Sequence, residues 1–273
     1  MVGIVLGCQA NAWQREFAIR DDMDRALGQL RAAGYVGAEI GAGFFTSLDD
    51  GAWLKDLLAK HRLRYAAIHL GGVMYDRSVQ RERTLPAIRQ AARFARQAGA
   101  EGALISTGAK REGPLTAEEH AANIDGLKEA AHILREHGLP AYYHNHAYEF
   151  ADGARVLQSI LDGVPADLLN LAFDTANASQ DIPAAQVPEV IRRFASRIGY
   201  LHYKDHRGGT LVEALGEGEI DFAAVGRVVR EIGYAGWVVA EIEQGPGMVA
   251  TRPVAEDARR SYDLLRRTLG EPA

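Results

Sequence analysis

Short apolar segments alternate with longer amphipathic segments along the whole chain, and this alternation limits the fold more than any other feature. The short segments are rich in β-branched and aromatic residues, which favours strands, whereas the longer segments repeat apolar residues at the helical period. Strands are predicted over residues 2–9, 36–41, 65–71, 102–106, 141–146, 169–174, 198–204 and 237–243. Helices are predicted over residues 22–33, 52–61, 85–98, 117–137, 154–161, 187–195, 222–232 and 254–269.

Eight strand-helix units in 273 residues average about 34 residues each, which matches a (β/α)8 barrel of about 250 residues. A doubly wound parallel sheet would need a G-x-G-x-x-G turn that opens a helix after an early strand, and the sequence has none. No tract rich in Pro, Gly or Ser divides the chain. We therefore predict an α/β fold, a (β/α)8 TIM barrel, as one domain spanning residues 1–273.

Helix boundaries carry their own signals. Thr116 and Glu119 are spaced as a capping box, and Asp221 is predicted to cap the seventh helix. Glycine favours the left-handed conformation that commonly ends a helix. Five glycines are predicted to fill that position: Gly34, Gly99, Gly138, Gly163 and Gly233.

The net charge and the cysteine count limit the classes of binding partner and the cellular compartment that we predict. The formal net charge of -5 provides no general attraction for nucleic acid or an anionic membrane surface. A single cysteine, Cys8, excludes an intramolecular disulfide and is typical of a reducing compartment. Neither a signal peptide nor an apolar run of membrane-spanning length is recognisable, so the prediction is a cytoplasmic protein with a small-molecule substrate. The sequence does not determine the oligomeric state, and a homo-oligomer is one of the alternatives.

Polar side chains follow the predicted strands where a TIM barrel builds its active site, at the carboxyl ends. Three carboxylates there, Glu149, Asp174 and Glu241, would repel one another unless a cation compensated them. With His202 they form a set of oxygen and nitrogen ligands that suits one divalent ion, Mn, Co, Mg or Zn. The sequence therefore predicts a metal site, against the alternative of a structural network of hydrogen bonds.

Other strand-end residues are predicted to contact a substrate. His144 and His146 share one face of strand five because side chains alternate along a strand. Lys204 can steady a substrate oxyanion or pair with Asp205, and both interpretations stay open. The predicted substrate-contacting residues are Glu39, His69, His144, His146, Asn177, Lys204 and Arg207. For Glu39 and His69, the alternative is that they orient another residue through a hydrogen bond.

Several of these residues lie in motifs that resemble a known family. The chain resembles the xylose isomerase-like TIM-barrel superfamily of sugar phosphate isomerases and epimerases, and its ending resembles the inosose dehydratase branch. The motifs are H-N-H-A-Y-E-F (144–150), F-D-T-A-N (173–177), L-H-Y-K-D (201–205), G-E-G-E-I-D-F (216–222) and G-Y-A-G-W-V-V-A-E-I-E-Q (233–244).

The resemblance implies the same four metal ligands, Glu149, Asp174, His202 and Glu241. In the ketose epimerases of this superfamily, the two ligand glutamates exchange protons with the substrate, which implies that role for Glu149 and Glu241. Asn177 departs from the pattern, because many relatives have histidine at that position. Substrate contacts taken from those relatives do not transfer directly.

These observations predict a metal-dependent sugar isomerase or epimerase that works through an enediolate on a ketose or keto-sugar. One alternative is an inosose-type dehydratase, in which the same intermediate expels a β-hydroxyl group from a keto-inositol or keto-sugar. Another is a barrel that binds a sugar without turning it over.

Overall fold

The computed structural model describes residues 3–19, 22–107, 114–242 and 249–270. Eight parallel strands close into a barrel, which confirms the predicted (β/α)8 TIM barrel. Residues 2 and 243, at the predicted ends of the first and last strands, lie outside the described residues. The barrel strands are β1 (Ile4–Gln9), β2 (Gly37–Gly41), β3 (Arg64–Gly71), β4 (Ala103–Ser106), β5 (Ala141–His144), β6 (Leu169–Asp174), β7 (Ile198–Tyr203) and β10 (Gly236–Ala240).

A short antiparallel hairpin, β8 (His206–Arg207) and β9 (Thr210–Leu211), follows β7 and was not predicted. All eight predicted helices are present, and their ends differ from the prediction by at most three residues. Two further short helices, Arg77–Val79 and Thr175–Ser179, are not among the predicted ones. The helices are α1 (Met23–Ala32), α2 (Ala52–Lys60), α3 (Arg77–Val79), α4 (Leu85–Ala98), α5 (Ala117–Glu136), α6 (Ala151–Gly163), α7 (Thr175–Ser179), α8 (Val187–Phe194), α9 (Phe222–Glu231) and α10 (Val254–Leu269).

The predicted helix caps are largely confirmed. Thr116 and Glu119 form a reciprocal capping box, and Asp221 accepts a hydrogen bond from the Ala224 backbone at 2.9 Å. Gly163 is the exception, because it ends α6 without a positive φ. A Cβ atom at this position would lie 2.7 Å from Ile124, so close packing between α6 and α5 accounts for the glycine.

Side chains on one face of the strands point into the barrel and fill its interior. Ala172, Tyr200 and Val239 belong to one buried cluster inside the barrel. Asp174, His202 and Glu241 lie two residues further along the same strands, or just beyond them, so alternation puts them on the same inward face. The apolar core therefore supports a layer of polar side chains above it. Among the described residues, none of the helices is both long and apolar enough to cross a membrane.

Candidate metal centre

Four ionisable side chains converge at the carboxyl end of the barrel. His144 and Asp174 end β5 and β6, His202 lies one residue before the end of β7, and Glu241 follows β10. One potential ligand atom of each lies within 4.8 Å of those of the other three, and all four residues are buried. The strand register explains this convergence, because His202 is the direct neighbour of Asp174 on one side and of Val239 on the other.

The atoms that face one another in this group lack ordinary hydrogen bonds. Both ring nitrogens of His144, Oδ2 of Asp174, Nδ1 of His202 and Oε2 of Glu241 are buried with no hydrogen-bond partner among the described residues. His202 Nδ1 nevertheless lies 2.7 Å from Glu241 Oε2, and His144 Nε2 lies 3.5 Å from Asp174 Oδ2. Buried polar atoms normally have partners, and two imidazoles with two carboxylates suit a divalent transition metal ion. These four residues could therefore bind a metal.

Neighbouring charges determine how this group ionises. Burial alone would lower the pKa of His202, but the carboxylates of Glu39 and Glu241 raise it well above its usual value. Burial opposes ionisation of Glu241, yet Lys204 and His202 lower its pKa well below the usual range. The site thus favours positive charge at its centre, which either a protonated imidazole or a divalent cation can supply.

Glu39 in β2 supports the group without belonging to it. Its Oε2 accepts hydrogen bonds from the Tyr200 hydroxyl at 2.8 Å and from His202 Nε2 at 2.6 Å. Its Oε1 accepts a hydrogen bond from Gln9 Nε2 at 2.8 Å. A carboxylate on the far ring nitrogen fixes the orientation of a metal-binding histidine, so Glu39 holds His202 with Nδ1 toward Glu241. Burial would raise the pKa of Glu39, but His202 and His69 lower it below its usual range.

Glu149, one of the predicted ligands, lies beside the group rather than in it. The chain leaves β5 at His144, earlier than predicted, and a 3-10 helix (Ala147–Phe150) turns Glu149 back toward the strand. Its carboxylate accepts hydrogen bonds from the Tyr143 hydroxyl and, at 3.0 Å, from the His146 backbone. His144, predicted as a substrate contact, is the β5 residue that faces the other three members.

A cavity of about 360 Å³ opens onto this group. Two predicted substrate contacts do not line it: Glu39 is fully buried, and exposed Arg207 donates a hydrogen bond to the carbonyl of Glu217. The other five predicted contacts do line it, together with residues that were not predicted. The lining comprises Gln9, Asn11, Gly41, His69, Ser106, His144, His146, Asn177, Lys204 and Glu241.

Lys204 is held at the cavity by its backbone and its side chain. The Thr175 hydroxyl donates to the Lys204 carbonyl at 2.6 Å and accepts from the Lys204 amide at 3.0 Å. The ammonium group donates to Glu241 Oε1 at 2.5 Å. The next residue, Asp205, accepts hydrogen bonds at 2.9 Å from the backbone of Gly216 and Gly218, which anchors the connection between β7 and α9.

Gln9, Asn11 and Ser106 are lining residues that the sequence prediction missed. Gln9 and Ser106 are the last residues of β1 and β4, so the strand-end rule would have found both if neutral polar residues had been counted with charged ones. Ser106 Oγ lies 2.5 Å from His69 Nε2, and His69 Nδ1 lies 3.3 Å from Glu39 Oε1. His69 therefore contacts both Ser106 in the cavity lining and the buried carboxylate of Glu39.

Comparison with protein families agrees with this architecture. The model of the xylose isomerase-like TIM barrel family matches residues 27–268. The chain belongs to this family. Its membership confirms the resemblance predicted from the strand-end motifs.

Relatives in the family include both lyases and epimerases. An inosose dehydratase from Geobacillus kaustophilus (strain HTA426) is 28% identical, with 89% of this chain and 87% of that protein aligned. An L-ribulose 3-epimerase structure has a TM-score of 0.80 at 21% identity, covering 97% of this chain and 94% of the other. A D-allulose 3-epimerase from Methylomonas sp. in complex with D-allulose has a TM-score of 0.77 at 18% identity, covering 98% of both chains. The similarity to the inosose dehydratase supports a sugar-modifying enzyme, and the two solved structures support the barrel fold.

Proposed function

We propose that this protein is a divalent-metal-dependent dehydratase that eliminates water from a keto-inositol or a related keto-sugar. The observation that carries the proposal is the pairing of Glu241 with Lys204 at the cavity, while Glu149 lies outside the lining. The similarity to inosose dehydratases over most of the chain supports the same choice. An isomerase or epimerase that uses Glu149 and Glu241 from opposite sides of the substrate fits this arrangement less well.

We assign the metal ligands as His144, Asp174, His202 and Glu241, with His144 in the place first predicted for Glu149. Their unpartnered buried atoms support this set. A divalent ion held there would act as a Lewis acid toward a substrate carbonyl and make the neighbouring C–H more acidic. The set does not favour one ion strongly, because imidazole and carboxylate ligands suit several divalent metals.

An elimination needs two proton transfers, and different side chains of the protein are placed to carry them out. A base removes the proton next to the carbonyl, the electron pair moves toward the β-carbon, and the hydroxyl there leaves as water after it accepts a proton. Glu241 and His146 both line the cavity and offer basic atoms for the first transfer. The Lys204 ammonium donates to Glu241 Oε1, while Thr175 holds the backbone of Lys204, and this ammonium offers the proton for the leaving hydroxyl.

Epimerisation of a ketose is the second candidate function. The epimerase structures with closely similar folds support it, among them the one solved with D-allulose. It requires the proton to return to the opposite face of the same carbon, so it requires a second acid at the cavity. His69 or His146 would have to fill that role, since both line the cavity and Glu149 does not.

The test is incubation of the purified protein with 2-keto-myo-inositol, D-fructose and D-allulose in D2O, separately with Mn, Co, Mg and Zn. Mass spectrometry and NMR then distinguish the reactions. A dehydratase gives a product lighter by one water, with a conjugated ketone or its enol. Deuterium incorporation without loss of water would support the epimerase or isomerase instead. Sugar binding without either reaction would support a non-catalytic barrel.

A matched control separates the site from contaminating activity. Lys204→Met removes the proposed acid while the Thr175 contacts to the backbone of residue 204 remain available. We expect its dehydration rate to fall by roughly 100-fold or more, the usual contribution of a general acid. Full activity in this variant would contradict the proposed mechanism.

A further inference from the structure

Gln9 lies in the cavity lining and carries a buried hydrogen-bond acceptor without a partner among the described residues. The residue is only 1% exposed, it ends β1, and it forms part of the cavity lining. Its side-chain Oε1 has no hydrogen-bond partner among the described residues. An unpartnered amide oxygen in a buried position is costly, which indicates that a ligand supplies the missing donor.

Contacts on the opposite side fix the orientation of this amide. Gln9 Nε2 donates to Glu39 Oε1 at 2.8 Å, while Glu39 Oε2 accepts from Tyr200 and His202. Rotating the amide by half a turn would put two acceptor oxygens 2.8 Å apart, at the distance of the present hydrogen bond. Because a carboxylate accepts and does not donate, Gln9 must direct its amino group to Glu39 and its oxygen elsewhere.

Asn11 offers the opposite polarity nearby. Its Oδ1 accepts a hydrogen bond from the Gly41 backbone at 3.0 Å, which leaves the amino group as its donor. Asn11 and Gln9 both line the cavity, two residues apart on the chain that leaves β1. A hydroxyl group both donates and accepts, so it complements a cavity lining that contains an amide oxygen and an amide nitrogen.

We propose that Gln9 is a specificity-determining residue that accepts a hydrogen bond from one hydroxyl of the substrate. The substrate class, a polyhydroxylated ketone, rests on the proposed function, whereas the fixed acceptor rests on the contacts of Gln9 alone. An analogue that lacks this hydroxyl leaves the acceptor buried and unpaired. Sites built to bind a hydroxyl reject the analogue without it much more strongly than apolar pockets reject an extra one.

The experiment compares 2-keto-myo-inositol with its series of monodeoxy analogues, each missing one hydroxyl. Turnover and binding by calorimetry are measured for the metal-loaded wild type and for Gln9→Met. We expect the wild type to discriminate against one analogue by roughly 10- to 100-fold, the effect of leaving one buried acceptor unpaired. In Gln9→Met this preference should fall below about 3-fold, because no acceptor remains to be satisfied.

Gln80→Met is the matched control. Gln80 is also a buried glutamine, but its amide donates to the carbonyls of Met74 and Ala122, and it does not line the cavity. This variant should keep the wild-type preference even where its thermal stability falls. Metal content measured in all three proteins separates a change at Gln9 from loss of the metal site.

The outcomes distinguish this inference from the proposed function. Discrimination that is equal in wild type and Gln9→Met, or absent from the wild type itself, overturns the role of Gln9 while the dehydratase proposal stands. Binding without turnover, with the Gln9-dependent preference intact, overturns the dehydratase and supports Gln9. Failure of every polyol to bind the wild type overturns both. Where Gln9→Met does not fold, absence of discrimination in the wild type still overturns the role of Gln9.

Discussion

Among the described residues, a partly buried group of charged side chains and the fully buried group at the barrel end differ in how their carboxylates are satisfied. In the arginine cluster (Arg15, Glu213, Glu217, Arg252 and Asp257), the two carboxylate oxygens of Asp257 each accept a hydrogen bond from an arginine. In the proposed metal centre, Oδ2 of Asp174 and Oε2 of Glu241 have no such partner among the described residues.

This difference distinguishes the structural role of the arginine cluster from the proposed metal-binding role of the other group. Arg15 and Arg252 connect Asp257, in the first turn of α10, with the loops after β1 and before α9, so the arginine cluster holds connections together. The proposed metal centre instead gathers strand ends, and its facing atoms have no hydrogen-bond partner among the described residues. Burial of charge alone does not indicate a metal site, whereas several ligand atoms that converge without hydrogen-bond partners favour one.

The largest effect is expected from breaking the arginine cluster. Asp257→Ala leaves the guanidinium of Arg15 buried without its carboxylate partner. The Asp257 side chain is fully buried and that of Arg15 is 4% exposed. Removal of one partner of a buried ion pair typically lowers the free energy of unfolding by about 3–5 kcal/mol. Urea denaturation measures this loss.

Asp263→Ala is the control for that prediction, because Asp263 pairs with Arg259 on the exposed face of α10. It should change the free energy of unfolding by less than about 1 kcal/mol. Metal affinity should be the same in both variants. If Asp257→Ala lost metal rather than stability, the distinction between the two groups would be wrong.

The next effect concerns which residue of the β5 region binds the ion. His144→Ala should weaken metal binding by more than about 100-fold, since even residues outside the coordination sphere contribute 10- to 100-fold. Glu149→Gln should keep metal affinity within about 3-fold, because the carboxylate hydrogen-bonds to Tyr143 and the His146 backbone instead. Competition with a chromophoric chelator measures both. The reverse result would restore Glu149 as the ligand and remove His144.

A smaller effect is expected one contact further from the ion. Glu39→Gln weakens the hold on His202 Nε2 while it retains the shape of the side chain. We expect metal affinity to fall by roughly 10- to 100-fold. Glu217→Gln, in the arginine cluster, is the matched control and should bind metal like the wild type. Equal affinities in the two variants would mean that Glu39 does not orient the ligand.

Residue patterns along the chain predict the architecture and most of the proposed site. The eight strands and eight long helices follow from residue periodicity, which is a local property, and their number and spacing required a closed barrel. Strand ends in a barrel meet at one rim, so Asp174, His202 and Glu241 could be grouped from their positions along the chain. Family motifs pointed to the same residues.

Which side chains face one another depends on the three-dimensional packing. The early end of β5 and the 3-10 helix after it turn Glu149 toward Tyr143 and leave His144 in the group, a choice that depends on backbone direction rather than on residue type. The contacts of Glu39 with Gln9 and His202 join strands that are distant in sequence. Hydrogen-bond partners of this kind depend on distances across the barrel, which periodicity along one strand does not encode.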